Sequence, residues 1–218
     1  LVSGANLYAG GKFITAGQVT VNRIARWNGN AWSALGSGVV YRSDPLQWGT
    51  VGAMAVIGNN LYAGGEFNFA GGIPAGNIAK WDGSAWSALS GPAGEGTDLE
   101  VNALAVFDDG SGPVLVAGGG FTTAGGVTAN RIARWDGSSW SAIGGPSETY
   151  DTVRALAVVD DGSGPVLYAA GRFASVAGVT VNNIARFSGA AWSALTGPLG
   201  TGTDAPVSAL TVIHTAAG

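Results

Sequence analysis

The chain has 218 residues, 46% of them hydrophobic and 11% charged, with a formal net charge of −4 and 38 glycines. That is ample apolar material for one large core and too apolar for a disordered chain. Ten Lys plus Arg form no basic stripe, so nucleic acid is not an expected partner; no apolar run reaches the length of a membrane span, and zero cysteines exclude disulfides, thiolate metal sites and cysteine nucleophiles.

In chain order, the first unit, 1–50, opens in mid-repeat at Leu1, which fits a mature form, a fragment or an engineered chain. It carries LYAGGKF from Leu7, a loop from Ile14 and NRIARWNGNAWSAL from Asn22, and it lacks a first strand. Its connector holds Tyr41, Arg42, Asp44 and Trp48 and is longer and more aromatic than its counterparts. The second unit, 51–100, is complete: VGAMAV from Val51, LYAGGEF from Leu61, a loop from Asn68 and GNIAKWDGSAWSAL from Gly76. The third, 101–152, repeats the order as VNALAV, VLVAGGGF and NRIARWDGSSWSAI. The fourth, 153–206, runs from VRALAV through VLYAAGRF to NNIARFSGAAWSAL. The last segment, 207–218, VSALTVIHTAAG, is a first strand with no unit after it, the one the first unit lacks.

The repeated 14-residue stretch reads as a β-hairpin. Two apolar runs flank Asn28-Gly29, Asp82-Gly83, Asp136-Gly137 or Ser188-Gly189, residues that tolerate the positive φ of a tight turn. A two-residue loop pairs Ala25 with Trp32, and a four-residue loop pairs Trp27 with Trp32; either register sets both indoles on one face and Arg26 on the other. Lys80, Arg134 and Arg186 occupy the equivalent places and are expected to make ion pairs between units. Trp32, Trp86, Trp140 and Trp192 recur at steps of 54, 54 and 52 residues.

Four strands per unit without helical periodicity, at a unit length near 50, predict an all-β fold: a β-propeller of four-stranded antiparallel blades, four repeats per chain, the first blade completed by the C-terminal strand. The innermost strand crowds the axis, which suits Ala53, Ala103, Ala155 and Ala209. A stacked β-solenoid is the alternative, although its coils are shorter.

The double glycines Gly10-Gly11, Gly64-Gly65 and Gly118-Gly119 (Ala170-Gly171 in the fourth unit), an aromatic at 27, 81, 135 and 187, and the later tryptophans make the chain resemble kelch-type blades over almost its whole length. It is closest in look to glycine-rich, kelch-like repeat proteins of bacteria. It departs from kelch in a shorter aromatic-to-Trp spacing and in Trp where kelch has Tyr. The Trp-Asp pairs at 81–82 and 135–136 do not make WD40 blades, because they lead into a turn and no Gly-His accompanies them. The copper-radical oxidase chemistry that the resemblance brings in needs a Cys and two His, and this chain has no Cys and one His.

Asp108 to Pro113 and Asp160 to Pro165 invite a calcium reading, yet a solvated hairpin turn is the simpler one, since Ca²⁺ takes about six or more oxygens. His214 has no partner at a telling spacing and is expected at a surface. Connectors and the loops between second and third strands emerge on one side of such a blade. That face gathers Tyr41, Arg42, Asp44, Trp48, Asp98, Glu148 and Tyr150, with Asn102 and Arg154 near the pore mouth, and these are the expected ligand-binding residues. The expectation is a non-enzymatic binding or scaffold protein, secreted or on the cell surface, that meets a glycan or protein there. No catalytic residue, metal or cofactor is assigned. Two alternatives stand beside it: a secreted glycoside hydrolase or lyase using acids such as Asp98, Glu100, Asp151 and Asp204, and a repeat scaffold without ligand. A homodimer completing a larger ring is a further expected partner state.

Overall fold

The computed structural model describes residues 1–42, 49–146, 148, 150–160, 164–198 and 200–212, and among them there is no helix. Four antiparallel four-stranded sheets follow one another along the chain, each a simple meander. The first joins Val2–Ser3, Asn6–Gly10, Ile24–Trp27 and Trp32–Ala34. The second joins Thr50–Ile57, Asn60–Glu66, Ile78–Trp81 and Trp86–Ala88. The third is built from Val101–Phe107, Val114–Gly119, Ile132–Trp135 and Trp140–Ala142, and the fourth from Thr152–Asp160, Pro165–Arg172, Ile184–Phe187 and Trp192–Ala194.

The hairpin takes the four-residue loop. Trp27 lies opposite Trp32, Trp81 opposite Trp86, Trp135 opposite Trp140 and Phe187 opposite Trp192. Each pair packs tilted, with ring centroids 5.1 to 5.5 Å apart, the geometry aromatic quadrupoles favour. The turn is held by its first side chain: Asp82 Oδ1 accepts the Ser84 and Ala85 N–H groups at 2.8 Å, and Asn28 Oδ1 does the same for Asn30 and Ala31. Those amides pull the Asp82 carboxyl down to about 2. The aspartate of the Trp-Asp pair is thus a turn residue.

The core consists of three seams between consecutive sheets. One cluster joins Ile24 and Leu35 to Val51, Leu61, Phe67 and Trp86. A second joins Tyr62, Ile78 and Leu89 to Leu115, Phe121 and Trp140, and a third joins Phe107, Val116 and Ile132 to Leu167, Phe173 and Trp192. The outer-strand indole also bonds across each seam. Trp86 Nε1 donates to the Leu35 carbonyl at 2.7 Å, Trp140 to Leu89 at 2.9 Å and Trp192 to Ile143 at 2.7 Å. Burial on both faces explains why these strands read as nearly continuous apolar runs.

Glycine is required at the first of the double-Gly positions by contact across the seam: a Cβ on Gly64 would meet Val101 Cγ1 at 2.6 Å, and one on Gly118 would meet Val153 Cγ1 at 2.5 Å. The first strands of the last three sheets each bear a bulge, between Val51 and Ala53, Val101 and Ala103, and Val153 and Ala155. Gly52, Asn102 and Arg154 are the extra residues it turns out of the ladder.

Two expectations are corrected. The first unit does not lack its first strand: Val2–Ser3 pairs with Leu7 and Asn6 through a turn at Gly4, and Leu1 and Tyr8 exchange hydrogen bonds. Of the last segment, 207–218, the described part, 207–212, does not pair with that sheet. Residues 206–212 enter no strand, Val207 N–H donates to Gly171 O of the fourth sheet at 2.9 Å, and 213–218 lie outside the described residues. A hairpin closed over two residues costs far less chain entropy than pairing the two ends of a 218-residue chain.

Replacing Trp140 with Phe keeps most of the buried ring and removes the bond to Leu89, an expected cost of about 1 kcal/mol. Trp140→Ala opens a cavity as well, for about 3–5 kcal/mol. Urea unfolding of both variants, followed by circular dichroism, checks the ordering.

Candidate functional site

The described parts of the three connectors between sheets lie against the loops that precede the third strands: Gly71 N–H bonds Gly38 O, Gly125 N–H bonds Gly96 O and Ala177 N–H bonds Gly145 O. The chain makes this possible with left-handed backbone: Asn22 and Arg23 have φ of 46° and 74°, Asn130 and Arg131 47° and 70°, Asn182 and Asn183 49° and 71°, and Asn77 61°. Asn tolerates that region and Arg visits it seldom, so local strain is accepted for what the side chains reach. Arg23 Nε donates to Gly49 O at 3.2 Å, Asn77 Nδ2 to Thr97 O at 2.8 Å, and Asn183 Nδ2 to Thr203 O at 3.0 Å. Arg131 holds two connector carbonyls, Asp151 O through Nε and Glu148 O through Nη2. Arg23, Asn77 and Arg131 are buried. This row of clamps fixes the connectors on one face and went unnoticed in the sequence, although the Asn-Arg or Asn-Asn preceding three of the four third strands was its signal.

Between the first two connectors lies a groove of about 250 Å³, lined by Tyr41, Glu66, Asn68, Asp98 and Glu100 among others. Asn68 and Glu66 are additions to the residues expected from sequence. Arg42 is exposed at its edge, its guanidinium 4.3 Å from the centre of the Phe69 ring and its N–H bonded to Asn68 Oδ1 at 2.8 Å. Asp98 has its acceptor sites engaged. Oδ1 receives the Thr122 and Thr123 amides at 2.8 Å each, and Oδ2 receives the Thr122 hydroxyl at 2.6 Å. Burial raises this carboxyl, but the Thr122 hydroxyl and the two amides outweigh it and hold it below its ordinary value.

The remaining expected residues lie elsewhere on the same face. Glu148 and Tyr150 sit on the third connector, both exposed, Tyr150 at 77%. Asp151 Oδ2 accepts the Glu148 N–H at 3.1 Å, and burial together with the Glu148 charge raises the Asp151 carboxyl despite that bond. Asn102 Nδ2 reaches Thr152 Oγ1 and Val153 O on the next inner strand, and Arg154 is exposed at the equivalent bulge. Asp44, Trp48 and His214 lie outside the described residues.

The basic series behaves differently from the ion pairs expected of it. Arg26, Arg134 and Arg186 donate through Nε to Ser33, Ser141 and Ser193 at 3.0 to 3.4 Å, each the residue directly opposite on the outer strand. A cross-strand serine is simply nearer than any carboxylate of the next unit. On the opposite face, Asp108 Oδ1 accepts the Gly110 and Gly112 amides, and Asp109 Oδ1 accepts the amide and hydroxyl of Ser111. Among the described residues no group of three or more His, Cys, Asp or Glu is arranged to hold a metal. No helix there is long and apolar enough to cross a membrane.

Comparison with protein-family models gives no match, and none of the curated proteins compared with the chain matches it.

Because Asp98 is depressed in the folded state, its contribution to stability is complete above its ordinary value of 3.8 and is lost as pH falls through the lower folded value. Asp98→Asn is expected to destabilise the protein at pH 7, with a difference from the parent that shrinks as the pH falls below about 4. Thermal melts of the two proteins from pH 7 to pH 2 measure that difference.

Proposed function

We propose that the four sheets are blades of a kelch-like β-propeller, and that the chain is a secreted, non-enzymatic binding protein that takes a glycan on the connector face. In this reading a second copy completes the ring. The observation that carries the glycan assignment is the groove in which a half-buried Tyr41 stands beside the acidic residues Glu66 and Glu100, with Asp98, its oxygens engaged by Thr122 and Thr123, bracing the wall. A sugar ring stacks its C–H face on an aromatic side chain while its hydroxyls donate to carboxylates, and a groove of this size holds one or two sugar residues. Clamped connectors favour recognition, because their geometry is set before the ligand arrives.

The enzymatic alternative has one observation in its favour, the raised Asp151 carboxyl next to Glu148. It lacks a poised partner in the groove, where Asp98 is held ionised and its oxygens are occupied. General acid–base hydrolysis needs one carboxyl of each kind at a shared site.

A glycan array probed with the purified protein, followed by titration calorimetry on the best ligand, tests the proposal. Tyr41→Ala is expected to weaken that binding by about tenfold or more, the scale of a lost stacking contact, with unchanged circular dichroism. Turnover of glycosides abolished by Asp151→Asn would replace the binding reading with the enzymatic one. A protein ligand and no glycan would leave the face and change the ligand class.

A further inference from the structure

We propose that the outer face of the first sheet and the outer face of the fourth are the two halves of one seam, and that they bind each other between two copies of this chain. The inference rests on the propeller reading and deepens its partner.

The two faces repeat residue for residue what the three internal seams bury. On the first sheet Leu7 is 41% exposed, while its equivalents Leu61, Leu115 and Leu167 are at most 2% exposed. Phe13 and Trp32 are likewise only half-buried, where Phe67, Phe121 and Phe173 and Trp86, Trp140 and Trp192 are buried. On the fourth sheet Ile184 and Leu195 are half-buried, where Ile24, Ile78 and Ile132 and then Leu35 and Leu89 are buried. Nothing in the described chain covers either face.

The polar groups are complementary as well. Each internal seam is crossed by an indole N–H that meets a carbonyl at the end of the preceding outer strand. Trp32 makes no such bond among the described residues, and Leu195, whose carbonyl takes the Gly202 amide as Leu89 O takes that of Gly96 and so is the equivalent acceptor, lines an open cavity of about 800 Å³. Asp204 lines that cavity and is exposed. It is the counterpart of Asp98, for Thr203 Oγ1 bonds Ala205 O and Asn182 O as Thr97 Oγ1 bonds Leu99 O and Gly76 O. Asp98 caps the amides of Thr122 and Thr123 in the next unit; the amides equivalent to them in the first unit are those of Ile14 and Thr15. Asp204 therefore has its capping site on a second copy.

The inner strand fits too. Val207 N–H already bonds Gly171 O, as Val51 N–H bonds Gly11 O across the first internal seam. By the register of the second sheet, where Val51 faces Gly65, Ala53 faces Gly64 and Met54 faces Ala63, residues 207–210 match the edge of Ala9 to Gly11 that Val2–Ser3 leaves unpaired. Such pairing is strand addition to an exposed sheet edge. Because the halves differ, the contact is heterologous, and with two copies it closes into a ring of eight sheets with two identical seams.

Sedimentation equilibrium on the purified chain is expected to give a species of about twice 21.6 kDa. Leu7→Asp and Ile184→Asp should each yield a monomer with unchanged circular dichroism, and mixing the two should restore a dimer, since one intact half remains on each. Asp204→Ala, at a surface position, should weaken the dimer at least severalfold without touching either apolar face, which separates lost docking from lost folding. A parent protein that stays monomeric at high concentration overturns the pairing. So does a variant at one face that still dimerises, because that contact would be isologous. Open-ended polymers blocked by Leu7→Asp would support the seam and overturn the two-copy ring, and with it the propeller closure.

Discussion

The structure depends on the outer-strand indole that crosses from each sheet to the one before it. Stacked sheets sit about 10 Å apart, and of the side chains only a large one can span that gap and end in a donor. The carbonyl just past the outer strand takes a connector amide at two of the seams, Gly38 N–H at Leu35 O and Gly96 N–H at Leu89 O, and its second lone pair is open to a donor from the next sheet. Trp86, Trp140 and Trp192 donate across the seam to the carbonyls of Leu35, Leu89 and Ile143, and their rings fill the seam beside Trp81, Trp135 and Phe187. One residue type thereby fixes sheet spacing, the end of the preceding outer strand and the point where each connector departs.

Since the connector departs there, the connector face inherits its geometry from the seams. Gly125 N–H bonds Gly96 O, Gly71 N–H bonds Gly38 O, and the Asn and Arg clamps pull the connectors onto the left-handed turns before the third strands. Asp98 completes the link by capping the next unit's loop. Asp98, one of the four acids the enzymatic alternative named, is therefore spent on architecture, and its depressed titration follows from the same three bonds that make it structural.

The repeat, the hairpin and the four-stranded antiparallel units were legible because they are local: turn chemistry at Asn28-Gly29, alternation about Trp27 and Trp32, and packing on both faces leave marks within a dozen residues. The hairpin loop length was not, since both registers place the indoles alike. The partner of Arg26 escaped because Ser33 lies seven residues away on a strand read chiefly for its tryptophan. The first sheet was misjudged for a thermodynamic reason, two residues at Val2–Ser3 being enough to make a hairpin. Tyr41, Glu66 and Asp98 come from three separate loops, and nothing in their spacing announces that they share a groove. Arg154 and Tyr150 are both exposed, and neither lines the groove at Tyr41.

Repetition also constrains what the face can be. The seams reuse one set of contacts, whereas the connectors differ: the first contributes the Arg42–Phe69 stack, the second the Asp98 cap, and the third the Glu148–Asp151 turn beneath Arg131. A surface made of parts held constant would offer each chain several equivalent shallow sites. One made of parts that differ offers a different surface wherever particular connectors meet, as at the groove lined by Tyr41 and Asp98. The seams can tolerate such divergence because the connectors are anchored through backbone carbonyls, at Gly49, Thr97, Asp151 and Thr203. A carbonyl is present whatever the side chain, so the clamps hold the frame while the side chains between them are free to differ from one connector to the next.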